Sequence, residues 1–325
     1  MVADSVYIWV VGCGNAAYNP AHGRAMGYLT YRERPVALRR PALLLAFGGW
    51  NDAAEAATNA ARFLRSAWEG TVYATLEGEE FYHFGLSRPL VRFVPGTSER
   101  EIIWPDTEFS RCRAAGLARD VLIGVGTEPH LRWKTYCATV IEMARELEVG
   151  LIVTLGALLA EVPHTRPVRL TGFATDPELG AVLGVRPTSY EGPTGIVGVL
   201  SSAAHAAGFA AVSLWANVPH YIATVENPRA TLALLHRVNR LFDGPLDLAG
   251  LEEAGTQFDA QLAEVLAQNR KVASYVRKLE AKDTEVERPR PEAPGELPSG
   301  HDLVAEIERF FRRERPGPSQ GPTPG

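Results

Sequence analysis

Four short runs with almost no polar side chains constrain this chain more than any other feature. They are Ala42–Phe47 (ALLLAF), Val121–Val125 (VLIGV), Leu151–Leu155 (LIVTL) and Ala211–Trp215 (AVSLW). A strand with one wet face alternates apolar and polar residues, whereas a strand covered on both faces has no reason to. Between the runs lie stretches with helical spacing: an alanine-rich one from Asp52 to about Trp68, then Leu131–Leu147, Ile196–Ala207 and Arg229–Phe242. Strands alternating with helices of this length predict a mainly parallel, mixed sheet with helices on both faces, a three-layer α/β/α sandwich. Thr71–Leu76, Leu90–Phe93 and Arg100–Trp104 alternate more clearly and read as edge or antiparallel strands. Asp52 followed by Glu55 reads as a capping box with Asp in the cap position. Pro129 suits the first turn of the next helix, where its missing N–H costs nothing.

The sandwich is expected over residues 28–245. Residues 1–27 read as a disordered leader: Val6–Val11 is apolar but has no basic stretch before it and is too short to span a membrane. After Gly244-Pro245 the pattern changes. Residues 246–315 read as a helical C-terminal region, beginning with helical spacing over Leu248–Leu279. Within that region a charged, proline-rich linker covers about 282–300, and Leu303–Arg313 (LVAEIERFFRR) is an amphipathic helix. Residues 316–325 read as a disordered tail.

Composition removes several classes of function. A net charge of −5 in 325 residues gives no concentrated basic face for nucleic acid. The three cysteines, Cys13, Cys112 and Cys137, are far apart, which suits a cytoplasmic protein better than a disulfide framework. No Ser lies in G-x-S-x-G; Ser189 falls in a loop and Ser213 within a strand. Gly12-Cys13-Gly14 lacks the third glycine of a dinucleotide-binding loop, so no cofactor is expected. His130, His164 and His220 sit on separate loops without the close-spaced ligand pairs of a metal centre, and none is expected.

In an open parallel sheet, ligands bind beyond the carboxyl ends of the strands. The loops leaving those ends bring polar candidates to one edge: Asn51, Asp52, Glu128, Arg132, His164, Thr165, Arg166, His220 and Tyr221, joined by Tyr190, Glu191 and Thr194. Each candidate also has a structural reading. Asp52 caps a helix, and Glu128 stands at a helix N-terminus where the dipole favours a carboxylate. Arg166 either takes an anion or pairs with Glu161 or Glu191. A ligand site would place Glu128, His164 and Arg166 around one cavity. A structural role would bury Arg166 against a carboxylate.

Seven segments in order carry a resemblance. They are AFGGWNDAAEAAT (Ala46–Thr58), Glu80–Pro89 with EFYHF and SRP, IIWP (Ile102–Pro105), GTEPHLRW (Gly126–Trp133), TLGALLAEVPHTRPV (Thr154–Val168), SYEGPTGIVGVL (Ser189–Leu200), and Trp215–Leu235 with WANVPHYIA and ENPRATLALL. Together they resemble the proteasome assembly chaperone 2 family, in its actinobacterial branch. The resemblance implies a phosphorylase- or hydrolase-like α/β/α core with a helical C-terminal extension, and self-assembly into a homotrimer or other small ring. It also implies relatives that assemble or partner the proteasome core particle. Archaeal relatives dock through a hydrophobic-Tyr-X terminus, and the residues Gly321-Pro322-Thr323-Pro324-Gly325 depart from that pattern.

Two functions compete. In the first the chain is a non-catalytic, homo-oligomeric assembly or interaction protein with proteasome-related partners, and its loops serve as turns and contacts. In the second it is a small-ligand binder or hydrolase- or phosphorylase-like enzyme using the strand-end crevice, a reading that rests on fold analogy.

Overall fold

The four apolar runs form the centre of one sheet. The structure is a computed structural model and describes residues 26–32, 37–113, 116–184, 186–187 and 190–286. In chain order, β1 (Leu29–Tyr31) and β2 (Ala42–Gly48) lead through a short 3-10 turn into α1 (Ala56–Ala67). Then come β3 (Thr71–Leu76), β4 (Leu90–Phe93), β5 (Arg100–Ile103), β6 (Thr107–Cys112) and β7 (Val121–Thr127). After α2 (Trp133–Glu146) follow β8 (Leu151–Ala160), β9 (Leu170–Ala174), α3 (Pro177–Leu183), β10 (Arg186–Pro187) and α4 (Ile196–Ala206). The chain continues with β11 (Ala210–Pro219), α5 (Pro228–Phe242), α6 (Ala249–Gln268) and α7 (Arg270–Val286).

The sheet has nine strands in the order β1-β3-β6-β7-β2-β8-β11-β9-β10. Its centre, β7-β2-β8-β11, is parallel, with Leu43 level with both Leu122 and Ile152. Antiparallel strands β6 and β9 flank it. Alternate side chains of the central strands enter opposite cores. Leu44, Ala46, Ile123, Val153 and Leu214 share one core with α1 and α5. Leu43, Leu45, Phe47, Leu122 and Ile152 share the other with α2 and α4. Both faces are therefore dry, which explains the missing alternation. The polar residues that do occur in these strands are paired: the Thr154 hydroxyl meets Ser201 of α4 at 3.0 Å and Ser213 at 2.9 Å. This is a three-layer α/β/α sandwich.

A third apolar cluster joins the C-terminal helices to the strand-end side of the sheet. Phe258, Leu262 and Val265 of α6, with Val272, Val276 and Leu279 of α7, enclose Tyr221 and Ile222 just after β11. Helix α7 continues through Lys282 to Val286, into the stretch expected as a linker. Val6–Val11 and Leu303–Arg313 lie outside the described residues.

Leu90–Phe93 and Arg100–Ile103 pair antiparallel, with each other in a separate two-stranded ribbon. One local expectation is corrected: Pro129 is not in the first turn of α2. The amides of His130 and Leu131 both donate to the Phe81 carbonyl, Arg132 turns left-handed at φ 54°, and the helix starts only at Trp133. The Pro129 carbonyl accepts the Trp133 indole N–H instead.

Candidate functional site

Because β2, β7, β8 and β11 are parallel, the loops after them emerge on one edge. The structure divides the candidate residues on that edge into two clusters.

The first cluster lies where β2 and β7 end. Gly48 is followed by Gly49, which turns at φ 120° and brings the backbone close to Glu128; a Cβ on Gly49 would stand 3.4 Å from the Glu128 Cβ. Beyond the exposed Trp50, Asn51 is fully buried and its carbonyl accepts the Ala157 amide of β8 at 2.8 Å. The chain thus crosses from β2 towards β8 before α1 begins. Ala54 and Glu55 are left-handed, at φ 54° and 53°, which costs about 1–2 kcal/mol per residue for an L-amino acid. Asp52 holds this turn. Its buried carboxylate accepts the Ala57 amide at 2.7 Å, the Thr58 amide at 3.2 Å and the Thr58 hydroxyl. Asp52 is therefore a helix cap, but not half of a capping box. The left-handed residues displace α1, so the carboxylate reaches five and six residues ahead, while Glu55 faces solvent beside Arg62. Burial pushes the Asp52 pKa up, against the pull of Thr58 and the two amides.

Glu128 joins three elements at this point. Its amide donates to the Gly48 carbonyl at 2.8 Å, extending the β2–β7 pairing. Its Oε1 accepts the Asn51 side-chain amide at 2.6 Å and the Ile196 backbone N–H at 2.8 Å. Ile196 opens α4, whose N-cap, Gly195, offers no side chain of its own. Glu128 thus does cap a helix by the dipole rule, but the helix is α4 across the crevice and not α2, which follows it in sequence. Gly195 is needed for this contact, since a Cβ there would lie 2.3 Å from Asn51 Oδ1 and 2.6 Å from Glu128 Oε1. The backbone at the start of α4 thus packs directly against one oxygen of Glu128, whose side chain stays partly exposed.

The second cluster lies beyond the ends of β8 and β11, under α6 and α7. The Tyr221 hydroxyl accepts the His164 backbone N–H at 2.8 Å and lies 2.8 Å from His164 Nδ1. With Nδ1 unprotonated, Tyr221 donates to it, an arrangement that favours the neutral ring. His220 Nδ1 donates to the Ala160 carbonyl at 3.1 Å, and its Nε2 meets the Tyr275 hydroxyl of α7 at 3.0 Å. The rings of His164, His220, Tyr221 and Tyr275 pack edge to face, 5.5–6.1 Å apart. Burial lowers the His164 pKa although Asp259 and Glu280 pull it up; burial likewise raises those of Tyr221 and Tyr275. The Thr165 hydroxyl donates to Glu280, Lys282 pairs with Glu161, and Arg169 pairs with Asp283 at 2.6 Å. These bonds clamp α7 to the loop.

His164 and Arg166 line a small pocket with Arg169, Arg229, Asp259 and Asp283, and Glu128 is not among its walls. The pocket holds about 20 Å³, room for roughly one water molecule. The single cavity expected around Glu128, His164 and Arg166 therefore does not form. Nor is Arg166 buried against a carboxylate: it is exposed, and Glu161 is taken by Lys282. The remaining candidates serve elsewhere. Arg132 pairs with Glu80 and stacks over Tyr28 at 5.8 Å. The Tyr190 hydroxyl donates to the Pro193 carbonyl within its own loop, Glu191 is exposed, and Thr194 packs against Gly198. Sequence reading missed Gly49, Gly195, Arg169, Tyr275 and Asp283. Only Gly195 carried a local signal, a helix start with no capping side chain.

Among the described residues, no group of three His, Cys, Asp or Glu side chains could hold a metal, and no helix is long and apolar enough to cross a membrane.

Two measurements check these assignments. Glu128→Ala removes a helix cap and strands the buried Asn51 amide, so it should cost about 2–3 kcal/mol in denaturant unfolding. Glu128→Gln keeps an acceptor and should cost less; equal stability of all three proteins would show that the bridge is unimportant. His164 concerns pH. A lowered folded pKa means that as pH falls through about 6.5 the unfolded chain takes the proton first, so stability is lost towards acid. His164→Asn, which keeps an acceptor for Tyr221, should flatten the stability profile between pH 7 and 5. An unchanged slope would place His164 in a solvated setting.

With the geometry in place, comparison with known proteins gives one answer. The profile of the PAC2 family matches residues 46–266. A PAC2 family protein from Streptomyces avermitilis is 42% identical over 73% of this chain and 99% of its own, with a TM-score of 0.66. A proteasome-assembly chaperone homologue from Mycobacterium tuberculosis is 40% identical over 72% and 99%, also at 0.66. A second M. tuberculosis protein, of unknown function, is 26% identical over 92% and 99%, with a TM-score of 0.73. No curated protein matches the chain.

Proposed function

Given that the chain belongs to the PAC2 family, we propose that it is a non-catalytic, self-assembling factor that works through protein surfaces. Its relative from M. tuberculosis is described as a proteasome-assembly chaperone homologue, and a proteasome-related complex is the partner this reading assigns to the present chain.

The observation that carries the reading is the ribbon of β4 and β5. Leu90 is 65% exposed, Val91 61% and Phe93 64%, with Ile102, Ile103 and Trp104 beside them. Cross-strand partners share a face, so Val91, Phe93 and Ile102 lie on one side, while Leu90 and Ile103 lie on the other with the Arg92–Glu101 pair. A two-stranded ribbon is marginal in water, and one with apolar residues on both faces needs a cover. The ribbon also carries both signs of charge, Arg92 and Arg100 with Glu99 and Glu101, which suits contact with a mixed-charge surface on another copy of the chain. Its two faces differ in chemistry. A face meeting an unlike surface on the next subunit propagates head to tail and closes into a ring, with a homotrimer as the simplest case.

The state of the crevice supports the same choice. One oxygen of Glu128 is taken by Asn51 and the Ile196 amide, and the pocket beside His164 admits about one water. Cys112 and Cys137 are buried free thiols, both pushed up to about 12 by burial; they are inert, and suited to the cytoplasm.

Sedimentation at micromolar concentration should give a mass above the 35.3 kDa of one chain. Phe93→Asp combined with Ile102→Asp should return it to that value with a nearly unchanged melt, since exposed substitutions cost within about 0.5 kcal/mol. A monomeric parent protein would refute self-assembly, and an oligomeric double variant would refute the ribbon as its interface.

A further inference from the structure

The apolar ribbon needs a surface to meet, and the strand-end edge of the sheet presents one. Strand β3 ends and β6 begins on the same edge where the parallel strands end, so the ribbon between them rises beside those loops. Outside the ribbon, exposed apolar side chains gather about the ends of β2 and β8: Trp50 is 64% exposed, Leu159 50%, and Leu158 is exposed with them. Asn51 holds these residues together, because its carbonyl accepts the Ala157 amide. Tyr190, also exposed, stands in the loop leading to Gly195, which packs on Asn51. Among the described residues, only Phe173 and Val182 expose a large apolar side chain away from this edge and the ribbon. Apolar surface concentrated in this way marks a protein contact.

Charge selects which face of the ribbon fits the patch. Phe93 is level with Arg100, whose guanidinium lies 6.0 Å from the centre of the Phe93 ring. The face of Val91, Phe93 and Ile102 therefore carries a cation, whereas on the opposite face Arg92 is already matched by Glu101. The patch carries the other sign. Glu191 is exposed beside Tyr190, and Glu128 is partly exposed where Gly49 approaches it. Glu128 Oε1 accepts both the Asn51 and the Ile196 donors, which leaves Oε2 for an outside cation. Arg132, on the same edge, is matched by Glu80. Ribbon and patch do not cover each other within one chain, since both remain exposed.

We propose that the Val91, Phe93 and Ile102 face of one copy's ribbon docks on the strand-end patch of the next copy, against Trp50, Leu158 and Leu159, with Arg100 beside Glu128 and Glu191. This rests on the reading that the chain assembles through its ribbon, and it names the unlike surface which that reading requires. Each chain contributes a different patch to the contact, so the contact runs head to tail.

Complementation by mass tests it. Trp50→Lys with Leu159→Lys removes the apolar patch at two exposed positions, so the melt should stay nearly unchanged. This variant should sediment at the 35.3 kDa of one chain, as should Phe93→Asp with Ile102→Asp. Each keeps the half of the contact that the other lacks. An equimolar mixture should therefore form a complex of two chains and nothing larger, because one ribbon can still enter one patch. A patch variant that stays oligomeric, or a mixture that stays monomeric, would overturn the docking while leaving self-assembly intact; a monomeric parent protein would remove both. A second measurement needs neither pair of substitutions. With the photocrosslinking residue p-benzoylphenylalanine at position 93, mixed light and heavy isotope-labelled chains should crosslink between chains to the peptides holding residues 50 or 158–159. Interchain crosslinks to residues 90–103 instead would assign the ribbon to a second ribbon and overturn the proposal.

Discussion

The carboxylate of Glu128 holds together the functional edge of this molecule. One oxygen accepts from the side chain of Asn51, on the loop after β2, and from the first amide of α4. Three elements from distant parts of the sequence are thereby fixed at one point: the β2 loop, the end of β7 and the start of α4. A charged acceptor at a helix N-terminus is favoured by the dipole, and bonds to an ionised group are stronger than neutral ones. The contact also requires Gly195, because any side chain there would occupy the place of the Asn51 amide. In many α/β proteins the corresponding place is a ligand crevice. Here it is an internal joint.

Beyond that joint, the same edge of the sheet seats the C-terminal helices. The other candidate residues, His164, His220 and Tyr221, are used to seat α6 and α7, and their hydrogen bonds run to Tyr275 and to the Ala160 carbonyl. Apolar surface remains exposed in the ribbon of β4 and β5, which pairs apart from the main sheet. The match to the PAC2 family, residues 46–266, includes it.

How much of this could be read beforehand follows from which interactions are local. Leu43 and Leu44 face different cores, so the run around them is apolar throughout, and that period alone placed β2 at the centre of a parallel sheet. Helix ends were legible to within one or two residues where the cap is adjacent, as at Asn227, whose side chain accepts the Ala230 amide at 3.0 Å. Caps were missed where they are remote or the backbone is strained. The start of α4 at Ile196 was legible, but not that Glu128, 68 residues away, caps it. Helix α1 begins late because Asp52 reaches it past two left-handed residues. Arg166 was expected to take an anion or pair with a carboxylate; it is exposed, and Glu161 is paired with Lys282 of α7 instead. Residues such as Tyr275 and Asp283 carry no local mark at all. Their partners are set by how α7 packs, and periodicity shows which face is buried without showing against what.

The central claim is that Asn51 and Glu128 act as one structural unit. A double-mutant cycle of Asn51→Ala and Glu128→Ala, read by denaturant unfolding, tests it most directly. Their bond involves a charged acceptor and a fully buried amide, so a coupling energy of about 1.5–3 kcal/mol is predicted, with the double variant more stable than the sum of the single losses implies. Additive losses, with a coupling energy near zero, would contradict the account and leave Glu128 free for chemistry.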